Sequence, residues 1–346
     1  MVKNTTEYII TYLKEHPSSS SKDIYDGLKL GISYSTVKRL LSKLVDGGVV
    51  YQEGKLKGTK YFLRASYLLF YPINVEEYFL TEIDERKIKN NYNLELVHEI
   101  LEKVNLFSTD EEDHLQTLHQ KFKHNISHLS ENAYQKELER LAIDLSWKSS
   151  QIEGNTYSLL ETERLLKEKE TAAGKPKDDA TMLLNHKDAI NFIIENPNYT
   201  SPLTISSIED IHNLLTKELY IDRNIRRRRV GISGTNYTPL DNEYQIRDAL
   251  NEMCNLVNVK ENIFEKALLT LVLLSYIQPF VDGNKRTARI VSNSILLAGG
   301  YCPLSFRTVD SISYKKAMLI FYEQNNIKPF KDIFIAQYEF AVGNYF

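Results

Sequence analysis

Residues 282–289, "DGNKRTAR", place a carboxylate, a Gly-Asn pair, a lysine and two arginines in one short stretch. They follow Pro279 and Phe280, which close the apolar run 267–277. A tight turn there, with a helix opening about Gly283 and running to the break at Gly299 and Gly300, would aim the backbone N–H groups of Gly283, Asn284 and Lys285 out of a helix N-terminus. Such an end carries partial positive charge and gathers anions. Arg286 lies in the first turn and Arg289, three residues on, shares its side of the helix, so both can close on one anion. Asp282 at the mouth is placed to hold a divalent cation against phosphate oxygens. The chemistry this combination suits is phosphate binding.

A second group lies in "AYQKELERLAIDLSWKSSQIEGN". Leu138, Leu141, Ala142, Leu145 and Ile152 mark one stripe of a helix spanning about residues 133–154. Ser149 and Glu153 extend the stripe, and Gly154 and Asn155 supply a left-handed cap. A carboxylate in the last turn opposes the helix dipole, at a cost of ~0.3–1 kcal/mol where exposed. Glu153 is thus either an ordinary exposed terminal glutamate or a partly buried one that requires a cationic partner.

Phe280, Asp282, Gly283, Asn284, Arg286 and Arg289 fit the pattern His-x-Phe-x-(Asp/Glu)-Gly-Asn-Gly-Arg-x-x-Arg, and the stretch resembles the signature of the Fic (filamentation-induced-by-cAMP, Fic/Doc) family. "SSQIEGN", with Ser149, Glu153 and Gly154, is similar to that family's inhibitory motif (Ser/Thr)-x-x-x-Glu-(Gly/Asn). Residues 229–239, "RVGISGTNYTP", look like the edge β-hairpin, or flap, that aligns a target segment, with Gly231, Ile232, Gly234 and Tyr237 in it. "SYKKAM", with Tyr314, is similar to the segment lining the adenine pocket. The resemblance covers roughly residues 95–335. It implies transfer of AMP from ATP to a target hydroxyl, with Mg²⁺ and ATP or a related nucleotide bound, and a protein target at the flap. Asp282 would bind Mg²⁺. The amides of Gly283, Asn284 and Lys285, with the Asn284 side chain, would form the anion hole. Arg286 and Arg289 would grip phosphates, and Glu153 would pair with Arg289 and displace the γ-phosphate.

Two positions depart from the family pattern. Gln278 stands at the general base, where the family has His, and a carboxamide accepts no proton at any relevant pH. Base assistance is worth ~10²–10⁴-fold. Lys285 stands where most members have Gly, nearer to the Doc branch, whose members can transfer phosphate. His186 and His212 lie on helix faces and read as structural. The expectation is a nucleotide-binding Fic fold with a degenerate transferase motif, a ligand-responsive regulator with little or no AMP transfer. The alternative is a slow, autoinhibited protein adenylyltransferase, and a third reading is an interaction scaffold with a vestigial site.

The elements that must carry these groups are helical from Leu94 onward, which gives a mostly α fold class with a small flap hairpin. Residues 66–93 read as an aromatic-rich ordered connector with one or two short strands. Residues 1–65 hold three amphipathic helices and two β-prone runs around a Lys/Gly-rich loop, and resemble a winged helix-turn-helix domain. They carry 11 Lys/Arg against 6 Asp/Glu, whereas the remainder carries 32 against 40. A basic module on an acidic body suggests a polyanion partner for that module, DNA in the first instance. Lys38, Arg39, Lys43, Lys55, Lys57 and Lys60 could neutralise phosphates, and Ser35 and Thr36 at the start of the third helix could reach base edges. A protein-contact role for the same module remains the alternative. Over all 346 residues the apolar fraction is 42% and the charged fraction 26%, an ordinary soluble composition. Cys254 and Cys302 have no metal-like spacing and suit a reducing cytoplasm. The apolar run 267–277 is too short for a bilayer.

Overall fold

The computed structural model describes residues 5–346 except the Lys57 side chain, so the phosphate contact expected of Lys57 lies outside the described residues. The chain divides into two compact units, one ending at Pro72 and one running from Ile73 to Phe346.

The first unit comprises α1 (Thr5–Glu15), α2 (Ser21–Leu28), α3 (Tyr34–Asp46), the antiparallel pair β1 (Val50–Glu53) and β2 (Lys60–Leu63), and the turn α4 (Ala65–Leu68). Ile9, Leu13, Ile24, Val37, Leu41 and Val50 form its core, with Tyr67 and Tyr71 packed against it. Ser20 and Asp23 make a reciprocal capping box on α2, and Ser33 caps α3. The unit therefore extends past residue 65. Ser35, Lys38, Arg39, Lys43 and Lys55 are exposed. The hydroxyls of Ser35 and Thr36, however, each sit 2.8 Å from Ser33 Oγ and serve the cap. Lys60 is paired with Asp23 at 3.3 Å, both side chains about half exposed.

Residues 73–91 belong to the second unit. They hold α5 (Val75–Tyr78) and a 3₁₀ turn, Ile83–Glu85, instead of the expected strands. Asn74 explains the turn: its side chain accepts from Glu77 N at 3.3 Å and starts a helix where a strand was expected.

The second unit continues with α6 (Thr109–Ser127), α7 (Glu131–Ile152), α8 (Leu159–Glu168), α9 (Lys177–Glu195), α10 (Ile205–Leu215), α11 (Glu243–Val259), α12 (Ile263–Ile277), α13 (Asn284–Ala298), α14 (Ser311–Gln324) and α15 (Lys328–Asn344). The sequence of α12 is apolar all round, as a central helix must be, and residues 267–280 are buried without a break. Helix α13 packs along it, and α11, α14 and α15 also contact α12. Helices α7, α9 and α10 back α13. Both cysteines are free and buried, and burial pushes the Cys254 thiol up to about 12.

The expected flap hairpin does not form. Residues 229–239 run extended around a turn at Ser233 and Gly234, and the sole ladder among the described residues is β1–β2. The segment is fastened from outside instead. Arg86 Nη1 donates to Gly234 O at 3.2 Å, Asn236 Nδ2 donates to Asp84 at 2.8 Å, and Thr238 N donates to Asn90 O at 2.7 Å. Thr238 and Asn91 make a single parallel bridge, so the segment is tied to residues 84–91 and not to a second strand of its own hairpin. No helix among the described residues is long and apolar enough to cross a membrane.

Candidate functional site

The site is built where α12 ends and α13 begins. Gln278 closes α12 in the left-handed region (φ 52°), and Gly283 opens α13 in the same region (φ 83°). Glycine is needed at 283 twice over. Its φ disfavours any side chain, and a Cβ there would come 3.3 Å from the His212 ring. His212, on α10, stacks on Phe280 with centroids 3.7 Å apart, and its Nε2 lies 3.0 Å from Asp282 O. Since a carbonyl only accepts, Nε2 carries the proton. Burial holds the His212 pKa down to about 4, so the ring is neutral at ordinary pH.

Arg226 fixes the other side of the turn. Buried to 2% exposure, it donates from Nε to Gln278 O at 2.6 Å, from Nη1 to Arg228 O at 2.9 Å, and from Nη2 to Leu240 O. Its backbone N–H donates to Pro279 O at 2.9 Å. The Gln278 carboxamide is held at both ends: Nε2 donates to Ser275 O at 2.6 Å and Oε1 accepts from Asn284 Nδ2 at 3.0 Å. Asn284 is thereby turned inward, with Oδ1 accepting from Phe280 N at 2.8 Å. Its side chain clamps the turn, and the residue also lines the cavity beside the tip. The Gly283 amide is taken by Asp282 Oδ1 at 2.6 Å. The first-turn amides of Asn284 and Lys285 remain as the tip of the anion binder.

Arg286 is 2% exposed, and its Nε and Nη1 find no hydrogen-bond partner among the described residues. Nη2 lies 3.3 Å from Asp282 Oδ2, whose side chain is 65% exposed at the mouth. Burial lowers the Arg286 pKa, the mark of a cation short of counter-charge. Two buried, unmatched guanidinium donors at a helix tip are what an incoming anion would satisfy.

Arg289 is fully buried, with Nε and Nη2 supplied and Nη1 without a hydrogen-bond partner among the described residues. Nε donates to Ser149 Oγ at 2.7 Å, and Nη2 donates to Ser149 O at 2.9 Å and to Glu153 Oε1 at 2.8 Å. Its guanidinium carbon lies 5.3 Å from the Tyr314 ring centroid. Burial works against its charge, yet Tyr314 and Glu153 hold its pKa above the ordinary value. Glu153 Oε2 also meets Lys285 Nζ at 3.6 Å. Burial would raise the Glu153 pKa, but Arg289 and Lys285 win and lower it. The carboxylate that opposed the dipole of α7 therefore sits at the positive end of α13, in the place of an anion. His186 Nε2, on α9, lies 2.6 Å from Ser149 Oγ and supports the same clamp from behind. It is buried, and desolvation together with Arg289 and Arg286 holds its pKa well below the ordinary value.

A cavity of about 570 Å³ opens beside this tip. Glu153, Gln278, Asp282, Asn284 and Lys285 line it, with Gly231, Ile232 and Gly234 across from them. Two expected members are absent. Tyr314 is fully buried against Phe306, Phe330 and Arg289, and the cavity face of α14 is Ile312, Lys315, Met318, Leu319 and Tyr322. Helical spacing places Tyr314 on the neighbouring face. Tyr237 is also buried, its OH donating to Tyr276 O at 3.1 Å, so it belongs to the core and not to a target surface. Phe79 and Arg86, from the aromatic-rich connector, also line the cavity. Among the described residues no group of three or more His, Cys, Asp or Glu side chains could hold a metal ion. One carboxylate, Asp282, suits only a cation that shares its coordination with phosphate oxygens.

Residues 202–296 match the model of the Fic/DOC family and carry that family's domain. The chain is similar to the protein adenylyltransferase Fic of Nematostella vectensis, 28% identical over 189 residues, which are 53% of this chain and 44% of that protein. It is also similar to the protein adenylyltransferase fic-1 of Caenorhabditis elegans, 26% identical over 160 residues, 44% of this chain and 31% of that one. The chain spans less than half the length of these curated relatives. Among solved structures, Fic-1 (residues 134–508) of C. elegans superposes with a TM-score of 0.57 at 22% identity, covering 68% of this chain and 72% of that one. A Fic-domain-containing signalling protein from Bacteroides thetaiotaomicron gives 0.57 at 19% identity, covering 67% and 95%. These likenesses show the Fic fold.

Proposed function

We propose that the second unit is a nucleotide-binding Fic domain held in a braked state and deprived of efficient AMP transfer, and that the first unit is a winged helix that couples it to DNA. The observation that carries the nucleotide reading is Arg286, a buried guanidinium with two unmatched donor nitrogens at the tip of α13. A polyphosphate supplies the missing acceptors. Phosphates would settle on the amides of Asn284 and Lys285 and on Arg286, and a terminal phosphate would compete with Glu153 for Arg289 and Lys285. Mg²⁺ would be held by Asp282 together with the phosphates, and when bound it neutralises phosphate charge. Gln278 can orient a hydroxyl through its amide but takes no proton from it, and its amide is already shared between Ser275 O and Asn284. Lys38, Arg39, Lys43 and Lys55 supply the exposed cations for a DNA backbone.

The second reading, a slow autoinhibited adenylyltransferase, draws on the relatives named protein adenylyltransferase. Label transfer from α-³²P-ATP separates the two. On the first reading, Glu153→Gly binds ATP without transferring label, and Glu153→Gly with Gln278→His gains transfer by ~10²–10⁴-fold. Clear transfer by Glu153→Gly alone would establish the second reading. Absence of ATP binding together with absence of DNA retardation at low salt would remove the regulator reading.

A further inference from the structure

The cavity beside α13 has two chemically distinct parts. One is the phosphate-seeking tip. The other is apolar and aromatic, formed by Ile312, Met318, Leu319 and Tyr322 of α14 and by Phe79, which follows α5. Phe79 arrives from a segment outside the 202–296 domain match, and that segment is stapled down firmly. Arg86 and Glu323 form an ion pair at 3.0 Å with side chains 9% and 1% exposed. Tyr78 OH donates to the same carboxylate at 2.6 Å, and Lys316 Nζ reaches Glu76 at 2.6 Å. The Arg86 guanidinium carbon lies 4.9 Å from the Phe79 ring centroid, and its Nη1 also holds Gly234 O. One arginine thus ties the strap to α14, to the segment opposite, and to the ring on the cavity wall.

Resting on the nucleotide reading above, we propose that the strap completes the ligand site: the Phe79 ring is the surface against which the nucleobase packs, and Arg86 is the residue that positions that ring. A half-buried aromatic ring in a cavity whose other part seeks phosphate gives an apolar base face a place to leave water. Lys316 Nζ lies 5.7 Å from the same ring centroid while paired with Glu76, and a base packing on the ring would move it further toward that exposed carboxylate.

The test separates base from phosphate. Full-length Glu153→Gly protein is titrated by calorimetry with Mg²⁺–ATP and with inorganic tripolyphosphate, alone and with Phe79→Ala or Phe79→Leu added. The expected result is an ATP affinity about tenfold weaker in both added variants, with tripolyphosphate changed by less than about twofold. Arg86→Lys keeps a cation for Glu323 but loses the planar contact with the ring, and is expected to lower the ATP-to-tripolyphosphate preference while the unfolding midpoint stays near that of the parent. Equal losses for both ligands, or an undiminished ATP preference in folded Phe79 variants, would overturn the strap's role and leave the nucleotide reading standing. Failure of the parent to bind either ligand would overturn both.

Discussion

Removing the carboxylate at 153 should convert the α13 tip from an occupied anion site into a vacant one. Glu153 sits 2.8 Å from Arg289 Nη2 and 3.6 Å from Lys285 Nζ. At an effective dielectric of 20 the two attractions come to about 6 and about 5 kcal/mol, but both are gross figures that desolvation and the competing phosphate largely offset. The net worth of a charge-assisted contact of this kind is ~1.5–3 kcal/mol. A terminal phosphate that must displace Glu153 loses that amount, so Glu153→Gly should bind Mg²⁺–ATP about 10- to 150-fold more tightly than the parent. AMP has one phosphate, which Arg286 and the tip amides can seat without Arg289, so its gain should stay below about threefold. Calorimetry of the full chain at fixed ionic strength reads both values. A stability signature accompanies them. The variant leaves buried Arg289 with Ser149 and the Tyr314 ring, which should lower unfolding free energy by about 1–3 kcal/mol, and Mg²⁺–ATP should restore it in proportion to its occupancy. Equal ATP affinities in parent and variant, or a gain for AMP as large as that for ATP, would refute the idea that Glu153 stands in a phosphate's place.

Arg226→Met should cost about 2–4 kcal/mol in urea unfolding, because it strands the buried Gln278 carbonyl and the part-buried Arg228 and Leu240 carbonyls, while Arg226→Lys recovers part of that; a loss below about 0.5 kcal/mol would mean that the turn is held otherwise. Stability should rise with pH between about 4 and about 6.5, because the unfolded chain binds a proton at His212 near 6.5 while the fold resists it down to about 4, and the depressed His186 acts in the same direction. His212→Gln should flatten that slope in thermal melts. Glu153, with its lowered pKa, works in a lower window: the brake is fully present above the ordinary carboxylate range and is released as pH falls through the depressed value, so ATP should gain least from Glu153→Gly in strong acid. In the first unit, Arg39→Ala with Lys43→Ala should lower the salt slope of DNA retardation by about 2, checked between 50 and 200 mM salt.

The sequence by itself determined the chemistry of the tip. The Gly-Asn turn, the two arginines and the misplaced glutamate could be recognised because each is a local choice of residue that helix ends either require or disfavour. The amphipathic stripes of α3 and α7 and the all-round apolar α12 were legible for the same reason, since periodicity is a property of the chain alone. The partners were another matter. Arg226 lies in a run of four arginines with nothing in their spacing to set it apart, yet it alone is buried, holding the Gln278 and Leu240 carbonyls. Phe79 and Arg86 come from a connector with no helical period, and only packing against α14 brings them to the cavity. Tyr314 and Tyr237 matched their motifs but point into the core, because which face of an element meets the interior is settled by its neighbours. Residues 229–239 have the turn chemistry of a hairpin without its ladder, since strand pairing needs a partner at the right distance and the segment is held from residues 84–91 instead, by the Arg86 side chain on Gly234 O, the Asp84 carboxylate on Asn236 and the Asn90 carbonyl on Thr238 N. Residue type and local spacing fix what a group can do. Long-range packing decides what it touches, because the burial and charge pairing that select among those abilities arise only when distant segments share one interior.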